Sequence, residues 1–233
     1  MSTQAWSNGP LALVRDPSRG AAADLERGLE LLRAAAAGEL PPTLRLYRPS
    51  PTVAFGQRDA RLPGFHAASE AARRHGFEPL IRKAGGRAAA YHPGCLIVDH
   101  IESHEDAIAG SRVRFGLLGE ILAAALRKVG VDAAVGEIPG EYCPGEFSVH
   151  GNGAVQIKLV GTAQRVISGA WLFSSVVVVE NSEPIRAVLE DTYAALGLSW
   201  DPATAGAADD LLPGLTVDEV SDAVVAVYDE AAR

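Results

Sequence analysis

Apolar residues recur at helical spacing in five stretches of the chain. The longest stretch carries a wide apolar stripe that includes Val113, Leu117 and Leu122 and stops before Gly130. Such a stripe is typical of a helix that packs one face on a core, so this helix should pack across a sheet. The last stretch opens with Thr216 and Glu219, a capping-box pair. The predicted helices cover residues 24–36, 65–75, 112–129, 184–196 and 216–228.

Other stretches alternate polar and apolar residues or contain runs of β-branched residues, as strands do. The predicted strands cover residues 43–48, 52–55, 78–82, 88–100 with a break at 93–94, 147–149, 155–160 and 170–179. These strands occur in clusters between helices, without regular strand-helix alternation, which favours an α+β fold with mixed or antiparallel sheets flanked by helices. Residues 201–214, rich in Ala, Asp, Pro and Gly, are expected to form an irregular linker.

Composition and charge exclude several classes of protein. The 233 residues are 48% hydrophobic and 21% charged, enough to bury the core of one globular unit of one or two domains. The formal net charge is −8 and the basic residues are scattered, so no nucleic-acid partner is expected. No apolar run approaches the ~18 residues of a membrane span, and residues 1–6 lack the plan of a signal peptide. A cytoplasmic protein with no membrane partner is expected.

The two cysteines, Cys95 and Cys143, are expected to be free thiols in a reducing compartment. Cys95 stands in an apolar stretch, as a buried filler does. Cys143 stands in a Tyr-Cys-Pro-Gly turn at residues 142–145. A thiol in such a turn is either an exposed nucleophile or an incidental small residue.

Lys158 lies within a predicted apolar strand. A buried ammonium group is costly unless it finds a partner or water, and a desolvated lysine is suited to acyl chemistry. Strand alternation puts Lys158 and Val160 on one face and Ile157 and Leu159 on the other. A polar face on an edge strand is therefore the competing interpretation.

Gly85 and Gly86 follow a predicted strand and lie among the basic residues Arg82, Lys83 and Arg87. Backbone amides at such a turn can approach an anionic or carbonyl group closely. A tight turn flanked by solvated basic residues explains the same pattern, and the spacing does not fit a phosphate-binding loop.

The six histidines do not form a metal-binding pattern. His100 and His104 come nearest, but they lack the H-E-x-x-H order and a third ligand nearby, so no metal site is predicted. The sequence also lacks a G-x-S-x-G elbow, which leaves a serine hydrolase without support.

Three ordered motifs resemble the lipoate–protein ligase A/octanoyltransferase superfamily, which shares its catalytic fold with biotin protein ligases. Residues 81–92, IRKAGGRAAAYH, are similar to the signature R-R-x-x-G-G-x-A-x-x-H. Residues 41–47 and 51–57, PPTLRLY and PTVAFGQ, resemble the family's early strand pair, and residues 158–165, KLVGTAQR, are similar to K-x-x-G-x-A-Q-R. In addition to these three motifs, residues 142–145, YCPG, resemble an element of the amidotransferase branch. The resemblance covers roughly residues 20–200 and implies a biotin/lipoate ligase-like catalytic domain at 1–200, with a linker and C-terminal helix at 201–233 packed on it.

The resemblance implies an enzyme that attaches an octanoyl or lipoyl group to a lysine of a lipoyl domain. Cys143 would form an acyl-thioester, and Lys158 would hold the acyl carbonyl or carboxylate and assist the transfer. The implied partners are an octanoyl or lipoyl donor and, as acceptors, the lipoyl domains of 2-oxoacid dehydrogenase E2 subunits or the glycine cleavage H protein. The other positions implied to contact substrate are Arg82, Gly85, Gly86, Tyr91, His92, Gly161, Thr162 and Ala163.

Two alternatives stay open. A transferase of this kind requires no cofactor, whereas an ATP-dependent lipoate–protein ligase acts through lipoyl-AMP and requires ATP and Mg. The chain departs from the ligase pattern, because Arg87 replaces a third glycine, Pro93 follows His92, and no Asn-Asp pair precedes Lys158. A non-catalytic protein that binds lipoate or lipoyl domains is the second alternative.

Overall fold

The computed structural model describes residues 11–232, so the segment assessed for a signal peptide lies outside the described residues. The strands are β1 (Ala12–Arg15), β2 (Thr43–Tyr47), β3 (Thr52–Phe55), β4 (Glu78–Ile81), β5 (Ala89–Tyr91), β6 (Cys95–Ser103), β7 (Ala133–Val135), β8 (Val149–Gly151), β9 (Ile157–Ile167) and β10 (Ala170–Val178). The helices are α1 (Ala21–Ala36), α2 (Phe65–Arg74), α3 (Ser111–Lys128), α4 (Glu183–Leu196), α5 (Ala208–Leu211) and α6 (Val217–Ala231).

These strands form two mixed sheets. The larger sheet has the order β1-β2-β6-β10-β9-β8-β7, in which β1 and β2 are parallel and the other neighbours are antiparallel. The smaller sheet has the order β4-β3-β5, with β3 parallel to β4 and antiparallel to β5. The predicted α+β class, with mixed sheets flanked by helices, is confirmed.

Both faces of the larger sheet are covered. On one face, α3 and α6 pack around a core that includes Leu122, Trp171 and Val224, which confirms that the longest helix crosses a sheet. On the other face lie α1 and the smaller sheet, and α2 and α4 pack against the smaller sheet. Within the described part of the chain, every helix is too short or too polar to pass through a bilayer.

The predicted helices agree with the structure because their ends carry local signals. Gly197, with φ of 69°, ends α4 in the left-handed conformation. Thr216 and Glu219 form the expected capping box at the start of α6. The short strands β1 and β7 were not predicted, since both lie at edges of the larger sheet and neither is long enough to show a period.

Two predictions were wrong in detail. Val113 and Leu117, assigned to the buried stripe of α3, are each 47% exposed. Residues 201–214 are not an irregular linker, because they contain a 3₁₀ turn at Pro202–Thr204 and the helix α5, and Ala205 is fully buried. The division of the chain at residue 200 stays a prediction.

A buried charge cluster fastens α1 to the larger sheet. The Arg45 side chain on β2 is 1% exposed, and its Nη1 donates to Asp99 Oδ2 on β6 at 3.0 Å and to the Asp24 carbonyl of α1 at 3.2 Å. Its Nε donates to Asp16 Oδ2 at 2.8 Å. Burial raises the pKa of Asp99, and the nearby Arg45 charge only partly opposes this shift.

The variant Arg45→Met should lower the free energy of unfolding by roughly 3–5 kcal/mol, because it leaves the Asp99 carboxyl buried without its cation. Without Arg45, the folded-state pKa of Asp99 should rise further above its unfolded value. The folded protein then binds the proton more tightly, so stability is greatest below the unfolded pKa and is lost as pH rises through the folded pKa. Urea denaturation from about pH 4 to about pH 7 should show an added decrease of up to about 1.4 kcal/mol per pH unit.

The matched control is Arg48→Met, which removes an exposed ion pair to Glu180. This change should cost less than about 1 kcal/mol and add no comparable slope with pH. A denaturation curve for Arg45→Met that matches wild type across this range would contradict a stabilising role for the cluster.

Candidate functional site

A cavity of about 290 Å³ lies between α1, the smaller sheet and the larger sheet. Much of its wall is apolar, with Leu25 and Leu29 from α1, Leu80 from β4, and Ile97 and Val176 from the larger sheet. Its size is near the lower end of the ~300–1,000 Å³ typical of small-molecule pockets. The shape and lining suit a ligand with an aliphatic portion.

Most of the site residues expected from the sequence lie in the wall of this cavity. Gly85 and His92 are not among the lining residues. His92 Nε2 donates to the Asn181 carbonyl at 2.9 Å, and His92 Nδ1 accepts from the Gly94 amide at 2.8 Å, so this ring supports the turn before β6. The expected residues that do line the cavity are Arg82, Gly86, Tyr91, Cys143, Lys158, Gly161, Thr162 and Ala163.

Lys158 lies on an interior strand. In the larger sheet, β9 is paired on both sides, with β10 and with β8. The Lys158 side chain is 1% exposed. The edge-strand interpretation is therefore wrong, and the ammonium group must be satisfied inside the protein.

A β-bulge orients Lys158 toward the cavity. Two consecutive residues of β8 pair with Lys158 and Val160, so β9 holds one extra residue, Leu159. Beyond the bulge, Gly161 also lines the cavity, three positions after Lys158. In a regular strand these two residues would face opposite sides. The predicted alternation was thus wrong for Val160, which packs with Leu159 in the core on the far face.

The Lys158 ammonium group holds the turn that carries Cys143. Its Nζ donates to the Cys143 carbonyl at 2.8 Å, to the Tyr142 carbonyl at 2.9 Å and to Glu141 Oε1 at 3.0 Å. An ammonium group has three protons, so each has an acceptor within the protein. A direct contact between Lys158 and an acyl group, which stays a prediction, requires one of these bonds to open.

The backbone of Cys143 is in the left-handed region, with φ of 43°. For a residue other than glycine this conformation costs about 1–2 kcal/mol, so the surroundings must hold it. The Tyr193 hydroxyl accepts from the Cys143 amide at 2.9 Å and donates to the Ala88 carbonyl at 2.9 Å. Burial raises the pKa of Tyr193, which keeps the phenol protonated as a donor.

Two N–H donors lie near the Cys143 sulfur. It accepts from the Arg87 amide at 3.1 Å and lies 3.8 Å from Arg82 Nη2. The thiolate is the nucleophilic form of cysteine, and N–H groups directed at sulfur stabilise its negative charge. The other cysteine, Cys95, is fully buried, and burial raises the pKa of its thiol to about 12. The filler role predicted for Cys95 agrees with this position.

Two glycines allow the loop of residues 82–87 to approach the sulfur. Gly86 has φ of +101°, and a Cβ there would clash with the Arg82 guanidinium and lie 3.0 Å from Cys143 Sγ. A Cβ on Gly56 would clash with the Gly86 carbonyl. Side chains at these two positions would push the loop away, so the close contact depends on glycine.

Some residues of the site were not predicted. Glu141 directly precedes the Tyr-Cys-Pro-Gly turn. A carboxylate at this place could have been recognised as the partner that a buried Lys158 requires. Tyr193 lies on α4 and carried no local signal. Within residues 11–232, no group of three or more His, Cys, Asp or Glu side chains is placed to hold a metal ion.

Residues 21–229 match the family model described as the lipoyl protein ligase A/B catalytic domain. The chain belongs to this family. The match includes the turn of Cys143, the bulged strand of Lys158 and most of α6. The lipoate–protein ligase A/octanoyltransferase resemblance seen in the motifs is therefore confirmed at the level of the family.

Two named bacterial transferases are similar to this chain. An octanoyl-[GcvH]:protein N-octanoyltransferase of Geobacillus kaustophilus is 28% identical over 167 residues, which cover 72% of this chain and 58% of that protein. A lipoyl-[GcvH]:protein N-lipoyltransferase of Listeria monocytogenes is 24% identical over 172 residues, covering 72% and 59% respectively. The chain thus spans little more than half the length of these relatives.

A solved structure has a similar fold. The crystal structure of lipoate-protein ligase A bound with ATP matches 95% of this chain and 84% of its own, with a TM-score of 0.68 and 21% sequence identity. This likeness supports the biotin/lipoate ligase-like fold expected from the sequence.

Alanine substitutions at Gly85 and Gly86 should affect the reactivity of Cys143 differently. Gly86→Ala should slow alkylation of Cys143 by iodoacetamide about tenfold, equivalent to about 1.4 kcal/mol in the barrier, because the new methyl group crowds the sulfur and displaces Arg82. Gly85→Ala is the matched control, since a Cβ at Gly85 meets nothing within 4 Å.

Mass spectrometry of peptides that contain Cys143 would measure both rates. The alkylation rate of Gly85→Ala should stay within about twofold of wild type, a difference below roughly 0.5 kcal/mol. Equal rates for the two variants would show that the close approach of Gly86 to the sulfur does not control its reactivity.

Proposed function

We propose that the protein is an acyltransferase of lipoate metabolism, which moves an octanoyl or lipoyl group onto a lysine of a lipoyl-type acceptor through a thioester on Cys143. The observation that supports this most directly is that Cys143 lines the cavity and its sulfur accepts from the Arg87 amide at 3.1 Å. The names of the similar proteins support the same class of reaction.

The proposed transfer has two steps. The Cys143 thiolate attacks the carbonyl carbon of an acylated lysine on the donor; the new C–S bond forms, the C–N bond breaks, and the leaving amine takes the proton that the thiol lost. The neutral amine of the acceptor lysine then attacks the thioester, so a C–N bond forms, the C–S bond breaks, and the released proton returns to sulfur. Splitting the transfer in this way replaces one difficult step by two easier ones.

The cavity is proposed to hold the aliphatic part of the acyl group. Leu25, Leu29 and Val176 line it, and burial of an alkyl chain gains about 0.8 kcal/mol per CH₂. Arg82 and the backbone near Gly86 and Gly161 would contact the polar end of the acyl group. Lys158 would hold the turn of residues 142–145 that carries Cys143, called here the nucleophile turn. It would assist the acyl carbonyl directly only after one of its present hydrogen bonds opens.

The proposed donor and acceptor follow from the relatives. Their names specify transfer from acylated GcvH to a protein, so we propose acylated glycine cleavage H protein as the donor. Lipoyl domains of 2-oxoacid dehydrogenase E2 subunits would be the acceptors, and the H protein would be an acceptor only for an acyl group from a different donor. The reaction written above is balanced without ATP or Mg, which would be needed only for lipoate activation by a ligase.

Incubation of the protein with octanoylated H protein should produce an octanoyl adduct on Cys143 that neutral hydroxylamine removes, as it does from thioesters. Octanoyl transfer to an apo lipoyl domain should fall at least roughly 10³-fold in Cys143→Ser, because the variant lacks the nucleophile. Intact-mass spectrometry of enzyme and acceptor measures both quantities. Cys95→Ala is the matched control and should transfer at the wild-type rate.

Other outcomes would favour the alternatives. Undiminished transfer by Cys143→Ser would rule out the thioester route. Lipoate-dependent release of pyrophosphate from ATP, with acceptor modification by free lipoate, would identify a ligase. Failure to modify the acceptor with either an acylated protein or lipoate plus ATP would favour a binding protein.

A further inference from the structure

Glu141 is a buried carboxylate at the start of the nucleophile turn, and its side chain has no exposed surface. Its Oε1 accepts from Ser148 Oγ at 2.7 Å, from Lys158 Nζ at 3.0 Å and from the Gly145 amide at 3.1 Å. Its Oε2 accepts from the Ile138 amide at 3.3 Å. One carboxylate thus links the residues before, within and after the turn to β9.

Glu141 and Lys158 form a buried ion pair in which each side chain compensates the charge of the other. Both side chains are at most 1% exposed, so water does not solvate either of them. In such an environment, loss of one partner leaves the other as an uncompensated buried charge, whereas loss of both charges is far less harmful. Lys158 can therefore stay inside the protein as an ammonium group because Glu141 faces it.

The same ammonium group holds the main chain on which the nucleophile stands. Lys158 Nζ donates to the carbonyls of Tyr142 and Cys143, and the Cys143 backbone is left-handed, with φ of 43°. If the ammonium group moved, these two carbonyls would lose their donor and the turn would relax toward an ordinary conformation. The sulfur would then leave its position 3.1 Å from the Arg87 amide.

From these contacts we infer that Glu141 is a positioning residue for the Cys143 nucleophile, acting through Lys158. The inference rests on the proposed function for its catalytic meaning, but the position of the thiol can be measured without any acyl donor. A neutral amide cannot replace the carboxylate: its NH₂ group cannot accept from Ile138, and it supplies no charge to Lys158.

The test compares four forms of the full chain: wild type, Glu141→Gln, Lys158→Met, and the double variant with both changes. Alkylation of Cys143 by iodoacetamide reports the state of the thiol, and thermal unfolding reports stability. Glu141→Gln should slow alkylation at least roughly tenfold, and should lower kcat of octanoyl transfer on the order of 100-fold with little change in KM for the donor, as expected for a misplaced reacting group.

The double variant distinguishes positioning from general stabilisation. Because both buried charges are removed, the unfolding temperature of the double variant should return most of the way to that of wild type from the lower values of the single variants. The alkylation of Cys143 should stay slow. This comparison also serves if Glu141→Gln alone does not fold. Recovery of the wild-type alkylation rate together with stability would overturn the inference, as would a wild-type alkylation rate in a folded Glu141→Gln.

Glu146→Gln is the matched control, because Glu146 lies on the same loop but pairs with Arg112 at the surface. This variant should alkylate and transfer like wild type. If the Glu141 variants alkylate slowly and no form of the protein transfers an acyl group, the positioning role stands and the proposed function fails. If wild type transfers the acyl group and Glu141→Gln is alkylated at the wild-type rate, the proposed function stands and the positioning role fails.

Discussion

The arrangement of the candidate site depends on one buried ammonium group with three protein acceptors. Lys158 Nζ binds the Glu141 carboxylate and the carbonyls of Tyr142 and Cys143 within 3.0 Å. These bonds join an interior strand of the larger sheet to a turn that has no regular secondary structure of its own. A turn held in this way can present a side chain in one orientation, which a catalytic nucleophile requires.

Two rigid parts of the fold converge on the Cys143 sulfur. From the larger sheet, the bulge in β9 directs Lys158 into the cavity and so fixes the main chain of the turn. From the smaller sheet, the close packing of Gly86 on Gly56 brings the Arg87 amide to the sulfur. Neither sheet alone makes the site, which explains why the cavity lies where the two sheets and α1 meet.

The sequence predicts much of the fold and the identity of the main residues. The helices can be predicted because their signals lie in the local sequence: the apolar periodicity, the glycine stop at 197 and the capping box at 216. Cys143 and Lys158 can be recognised because they lie within short motifs. The placement of Val160 in the core and of Gly161 on the same face as Lys158 could not be predicted, because the bulge at Leu159 arises from pairing with β8. The Tyr193 contact spans 50 residues of sequence and exists only once α4 has packed beside the turn.

The groups that hold the Cys143 main chain have their hydrogen-bond partners within the protein. Lys158 has three acceptors, and the Tyr193 hydroxyl both accepts from Cys143 and donates to Ala88. The strain of a left-handed cysteine, about 1–2 kcal/mol, is therefore offset by contacts formed during folding and not by substrate binding. In the proposed transfer the turn is thus already in place, so the binding free energy of the acyl group can favour the transfer step. Contact between Lys158 and the acyl carbonyl would still require one Lys158 hydrogen bond to open. In that proposal Cys143, partly buried in the cavity wall, is the residue that reacts first.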